Sequence, residues 1–174
     1  MGASVGFIFI RHRSLRYAIP CSAGTGLLSV VLSRYVRHYT VTDIDELIPL
    51  IRKNIARNMP PPPVPTSRSK HPPPAAPNVT ATALDWVALH AAPMPLRARL
   101  VPAEPVDLLL VVDCIYHPSL LPPLLTTIDY LTVADRTAVV VVVELRAEDV
   151  IREFLQLWLD LSAGTEWEIW SVGG

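Results

Sequence analysis

The sequence is poor in cysteine, in excess charge and in long apolar runs. Cys21 and Cys114 are its only cysteines, too few for a disulfide framework or a four-cysteine zinc site, and free thiols fit a reducing compartment. The five histidines are scattered without ligand spacing, so the sequence predicts no metal site. The longest apolar runs, residues 5–10 and 138–143, fall far short of the ~20 residues that a membrane-spanning helix needs. Fifteen Lys and Arg against sixteen Asp and Glu leave a net charge of −1, which offers no overall positive field to a phosphate backbone or an anionic bilayer. Neither nucleic acid nor membrane is an expected partner. At the N-terminus the apolar stretch precedes the cationic Arg11, His12, Arg13 and Arg16, the reverse of a secretory signal, and Met1-Gly2 lacks the Ser or Thr of a myristoylation motif. These features lead us to expect a cytoplasmic protein, with the nucleus as the alternative.

What the sequence does have is apolar content and proline. Of its 174 residues 51% are hydrophobic, enough to bury the core of one domain. Half of the 18 prolines crowd into residues 59–77, where missing N–H groups and small side chains prevent packing. We read that stretch as an extended surface insertion; a PxxP docking site is the narrower alternative. On either side of it, helix-like and strand-like segments alternate, the pattern of a parallel sheet with crossover helices. Strands are expected at 38–42, 79–83, 107–112, 137–143 and 167–172, with a poorly defined sixth near 17–19. Helices are expected at 26–33, at 46–58 with Pro49 in the first turn, from Pro122 onward, and from Val150 to an end at Gly164. The fold class is therefore α/β, a Rossmann-like, doubly wound, mostly parallel sheet.

Ligands of such sheets bind at the carboxyl ends of the strands, so the residues following each strand carry the chemistry. Ser22-Ala23-Gly24-Thr25-Gly26 is a small-residue turn into a helix, where a ligand can approach the backbone. A tight strand-to-helix turn explains it equally. Asp43, ending the second strand, is placed to hold ribose hydroxyls. Helix capping is the other reading for Asp43, and we assign the cap to Asp45 instead. Asp85-Trp86 follows the third strand and suits either a purine edge and face or plain loop packing. Asp113 leaves an apolar strand at the mouth of a partly dehydrated cleft, with Tyr116 three residues on; its alternative is a turn cap. His117 lacks a nucleophile partner and is read as a loop residue, and Cys114 as a small buried hydrophobe.

These four segments, in this order, resemble the seven-stranded S-adenosylmethionine-dependent methyltransferases. More narrowly they resemble the protein-lysine methyltransferases that carry an Asp-x-x-Tyr motif, closest to the fungal elongation-factor enzymes. The residues concerned are AGTGLLSVVLS from Ala23, VTDIDELIPLIRKNI from Val41, LDW at Leu84 and VVDCIYHPSLLPPLL from Val111. The resemblance implies S-adenosyl-L-methionine as cofactor and a lysine side chain of a protein, a translation elongation factor among the candidates, as substrate. It implies that Ala23, Gly24 and Gly26 lie against the methionine part, that Asp43 holds the ribose, and that Asp85 and Trp86 border the adenine. Val112 and Asp113 would line the cleft floor, with Asp113 and Tyr116 as the catalytic pair.

There are departures too. Pro20 stands where the family has an acidic residue near the end of the first strand, and a proline cannot serve both ladders of a central strand. The family's upstream tryptophan segment has no counterpart in residues 1–17, and a further C-terminal strand is missing. We therefore expect incomplete first and last strands, an exposed sheet edge, an atypical N-terminal segment at 1–22 and a methyltransferase domain at 23–174. The same departures favour an alternative in which the fold persists as a non-catalytic binding module or truncated gene product. A nicotinamide-dependent oxidoreductase ranks last, because Ser29 replaces the third fingerprint glycine.

Overall fold

The structure is a computed structural model that describes residues 4–9, 17–21, 24, 26–59, 78–144, 147–161, 167 and 170–172. Seven strands form one sheet in the order β4-β3-β2-β5-β6-β1-β7. They are β1 Ser4–Phe9, β2 Tyr17–Pro20, β3 His38–Asp43, β4 Val79–Ala83, β5 Leu108–Val112, β6 Ala138–Glu144 and β7 Trp170–Val172. Strands β4, β3, β2, β5 and β6 are parallel, while β1 runs antiparallel to both β6 and β7. The helices are α1 Leu27–Leu32, α2 Ile48–Asn58, α3 Trp86–Ala91, α4 Met94–Arg97, α5 Leu121–Leu131 and α6 Glu148–Leu161.

Alternation along the strands divides the core between the two faces of the sheet. Ile19, Leu109, Val111, Val139, Val141 and Val143 turn to the face covered by α3, α5 and α6, where Leu89, Leu124, Ile128, Phe154 and Trp158 are buried. Ala18, Tyr39, Val41 and Leu110 turn to the other, against Ile48 and Ile51 of α2. This two-sided cover explains why the central strands read as unbroken apolar runs. Prolines start α2 and α5 without breaking them, because Pro49, Pro122 and Pro123 lie in first turns whose N–H groups have no intrahelical acceptor.

Several boundaries differ from expectation for local reasons. The helix expected at 46–58 opens with a 3₁₀ turn, Asp45–Leu47, before α2 proper. Helices α3 and α4 were not anticipated, being only six and four residues long. Gly164 and residues 60–77 of the proline-rich stretch lie outside the described residues. Beside β6 the sheet continues: β1 pairs along it from Ser4↔Glu144 to Phe9↔Val139, and β7 joins only through β1, at Gly6↔Val172 to Ile8↔Trp170, so the edges of the sheet are β4 and β7.

Pro20 shortens β2 without expelling it. Pairing with β3 stops at Ala18↔Tyr39, whereas pairing with β5 continues through Pro20↔Leu110. The Cys21 N–H donates to the Leu110 carbonyl at 2.7 Å, so Pro20, one residue earlier, directs its backbone towards β3, where its missing N–H ends the ladder. At its other end β2 is held by Asp107, whose Oδ2 accepts the Tyr17 N–H at 3.0 Å while Oδ1 accepts from Arg136 Nε at 3.2 Å.

Candidate functional site

The chain leaves β2 to build β3 and β4 on one side, then returns to place β5 and β6 on the other. This puts a switch point between β2 and β5, the place at the carboxyl edge where sheets of this kind bind their ligands. All four segments singled out in the sequence end there. Gly24 and Gly26 both have left-handed backbones, with φ of 52° and 78°. A Cβ on Gly26 would meet Ile51 Cγ2 of α2 at 3.5 Å, an ordinary contact, so the left-handed backbone and not crowding calls for glycine there. A Cβ on Gly24 would meet nothing within 4 Å, which leaves the turn's open side available to a ligand. Ala23 lies outside the described residues.

Asp43 ends β3 half-buried, and its Oδ1 accepts the N–H of Ile44 at 2.9 Å. Its carbonyl accepts the Leu84 N–H at 2.8 Å, which fixes β3 against the start of the next segment. The capping role expected of Asp45 is not found. Asp45 is the first residue of the 3₁₀ turn, and the cap position belongs to Ile44, which makes no side-chain bond there.

Asp85 caps α3 instead of merely packing in a loop. Its Oδ1 accepts from Val87 N at 2.8 Å and from Ala88 N at 3.0 Å, satisfying two otherwise unpaired donors. The capped helix begins at Trp86, whose half-buried indole sends Nε1–H to the Cys21 carbonyl at 3.0 Å. Trp86 thus reaches from the third segment to the first.

Asp113 follows β5 with φ 53°, a left-handed conformation that aspartate tolerates better than most residues. Its N–H donates to the Val142 carbonyl of β6 at 2.8 Å. The turn places Asp113 and Tyr116 on the surface, Tyr116 being 63% exposed, in place of the partly dehydrated setting expected for the carboxylate. Half-buried Val112 offers its carbonyl to Cys114 Sγ at 3.3 Å. His117 Nδ1 caps the following 3₁₀ turn by accepting the Ser119 N–H at 3.3 Å, which fits its reading as a loop residue.

Beneath these groups lie the two thiols, both buried. Burial pushes the Cys114 thiol up to about 12; a backbone hydrogen bond with Val112 opposes the shift, and the charges of Asp113 and Asp43 add to it. Burial also raises the Cys21 thiol, with a smaller contribution from Cys114. The ends of β2, β3 and β5 therefore share one electrostatic neighbourhood, with two carboxylates above two neutral thiols. Sequence reasoning missed Thr42, a buried residue of β3 whose hydroxyl donates to the Pro20 carbonyl. The signal for it was Pro20 itself, which requires a substitute for lost ladder bonds.

Fold and edge together define an open α/β protein whose candidate site lies along the carboxyl ends of its parallel strands. Comparison with known proteins narrows this class. Residues 11–159 match the lysine methyltransferase family model, and the chain belongs to that family. It is 33% identical over 150 residues to ribosomal lysine N-methyltransferase 5 of Eremothecium gossypii, a match covering 78% of this chain and 46% of that protein. The chain thus spans less than half the length of this curated relative. Among solved structures it is similar to precorrin 8W decarboxylase of Methanobacterium thermoautotrophicum, with 18% identity and a TM-score of 0.48 over 91% of this chain and 77% of that one. It is also similar to the N-methyltransferase NodS of Bradyrhizobium japonicum, with 13% identity and a TM-score of 0.45 over 82% of this chain and 65% of that one.

Proposed function

We propose that the protein is an S-adenosyl-L-methionine-dependent protein-lysine N-methyltransferase. The observation that carries this reading is the family match across residues 11–159, which includes the glycine turn, Asp43 and the Asp113/Tyr116 turn at one sheet edge. The edge fits such a cofactor in two respects. Gly24 leaves its side of the turn open, and Asp43 brings a carboxylate to the end of the strand next to β2. Ala23, Gly24 and Gly26 would hold the methionine part, Asp43 the ribose, and Asp85 and Trp86 the adenine, with Val112 on the cleft floor.

When bound, S-adenosylmethionine supplies a methyl group carried on a positively charged sulfur. The chain's own task is to present an uncharged amine to it. A free lysine has a pKa near 10.4, so only a small fraction is neutral at pH 7, and orienting that fraction is the main contribution the protein can make. Asp113 accepts an N–H of the amine and balances the positive charge that the nitrogen acquires; Tyr116 offers its hydroxyl to the same nitrogen. Both are exposed, as residues meeting a protein substrate must be. We take that substrate to be a component of the translation machinery, because the Eremothecium gossypii relative is named for ribosomal lysine methylation.

The test is calorimetric titration with S-adenosylhomocysteine, followed by transfer of labelled methyl groups to proteins of a cell extract. We expect micromolar binding that Asp43→Ala weakens at least tenfold, and transfer that Asp113→Ala lowers ~100-fold or more while binding persists. A folded, monodisperse chain that gives no heat with cofactor or product would refute the enzyme and leave the binding-module alternative. Full turnover by Asp113→Ala would remove Asp113 from the catalytic pair.

A further inference from the structure

We infer that Trp86 and Thr42 are positioning residues for the glycine turn, Thr42 tying β2 back to β3 where Pro20 interrupts their ladder and Trp86 holding the next carbonyl, that of Cys21; the consequence for cofactor affinity rests on the function proposed above. A central parallel strand is normally held on both sides by backbone bonds up to its last residue. Here β2 pairs with β3 only at Tyr17↔His38 and Ala18↔Tyr39, and the next backbone unit facing β3 is that of Pro20, which has no N–H. Yet Gly24 and Gly26 follow within six residues of Pro20, so the end of β2 determines where these glycines lie.

Three bonds from outside β2 secure this end. Thr42, fully buried in β3, donates its hydroxyl to the Pro20 carbonyl, so a side chain takes over towards β3 where backbone pairing has stopped. The Cys21 N–H continues the ladder towards β5 at 2.7 Å. The Cys21 carbonyl, last of the described residues before Gly24, accepts the Trp86 indole N–H at 3.0 Å. Thr42 and Trp86 approach from different strand ends, and Trp86 is aimed by a helix that Asp85 caps. Neither bond involves a group that must face ligand, so both operate whether or not the site is filled.

Hydrogen exchange and binding separate this role from plain structural support. In the chain without ligand, Trp86→Phe and Thr42→Val should each speed amide exchange in a peptide covering residues 20–27, while peptides from β5 and α5 keep wild-type rates. Thr42→Ser, which keeps the hydroxyl, should restore slow exchange. With S-adenosylhomocysteine, Trp86→Phe and Thr42→Val should each raise Kd about fivefold, the effect of one net hydrogen bond, and Thr42→Ser should not. In a transfer assay Thr42→Val should raise the cofactor KM and leave kcat at saturation within about twofold, because lost positioning is recovered once the cofactor is bound.

Unchanged exchange at residues 20–27 in both variants, or Thr42→Ser behaving as Thr42→Val, would overturn the inference. If Trp86→Phe fails to fold, an indole isostere with sulfur in place of the N–H keeps the shape and deletes only the donor. Absence of wild-type binding would refute the cofactor reading alone, since the exchange experiment tests the tether without any ligand.

Discussion

Replacing Asp85 tests how a helix cap sets up the candidate site. One oxygen, Oδ1, accepts both the Val87 and the Ala88 N–H, at 2.8 and 3.0 Å, so Asp85→Ala leaves two donors at the start of α3 to solvent alone. Such cap deletions cost ~1 kcal/mol, within a range of about 0.5–2. In a domain of this size that corresponds to a fall in Tm of roughly 2–4 °C. Helix α3 has only six residues and little internal stability, so loss of the cap frays its first residue, Trp86, and slackens the indole bond to Cys21. Asp85→Ser and Asp85→Asn retain a capping oxygen and should keep Tm within about 1 °C of wild type. Scanning calorimetry reads the stability, and exchange at residues 20–27 reads the slackened turn. If Asp85→Ser melts as low as Asp85→Ala, the cap is not what Asp85 contributes. If Asp85→Ala changes neither Tm nor exchange, the route from Asp85 through Trp86 to the turn is wrong.

Two further predictions concern buried groups. The Tyr39 hydroxyl is fully buried and has no hydrogen-bond partner among the described residues, so Tyr39→Phe should be at least as stable as wild type, by up to ~1 kcal/mol in urea titration; a loss of more than that would show a hidden partner. Burial raises the Cys114 thiol from 9.0 to about 12, so its contribution to stability is intact below pH 9 and lost as pH rises through that window, where the unfolded chain gives up its proton first. That amounts to about 1.4 kcal/mol lost by pH 10, and Cys114→Ala should flatten the fall of Tm between pH 8 and 10; an unaltered slope would contradict the assignment. Being buried and protonated, Cys21 and Cys114 should also stay inert to a thiol reagent until the chain unfolds, and rapid native labelling would refute their placement.

The parts of the fold that were legible are those whose local pattern and buried setting agree. Strands β3, β4, β5 and β6 fall within a residue or so of expectation, because each is bounded by polar or turn residues and β5 and β6 are apolar almost throughout. Strand β1 was not legible as a strand. Its apolar run was visible, but its partners lie more than a hundred residues away at Val139 to Glu144, and nothing local specifies that edge. Helices α3 and α4 escaped because six and four residues display too little of a 3.6-residue period to read.

The candidate site divides along the same line. Glycine turns and strand-end acids are local signals, and Gly24, Gly26, Asp43 and Asp113 all arrive at the carboxyl edge. What they need in order to act together is not local. Pro20 was read as a defect able to shorten or displace the first strand, and the sequence supports that reading, because it shows a missing donor and no replacement. A tether back to β3 lies 22 positions downstream in Thr42, whose hydroxyl donates to the Pro20 carbonyl, and 65 positions from Cys21 the Trp86 indole holds the next carbonyl. A proline in a central strand is therefore tolerable when neighbouring elements supply side-chain donors to the carbonyls around it. The constraint then passes to those donors, and substitutions at Thr42 and Trp86 should be tolerated less well than their exposure alone would suggest.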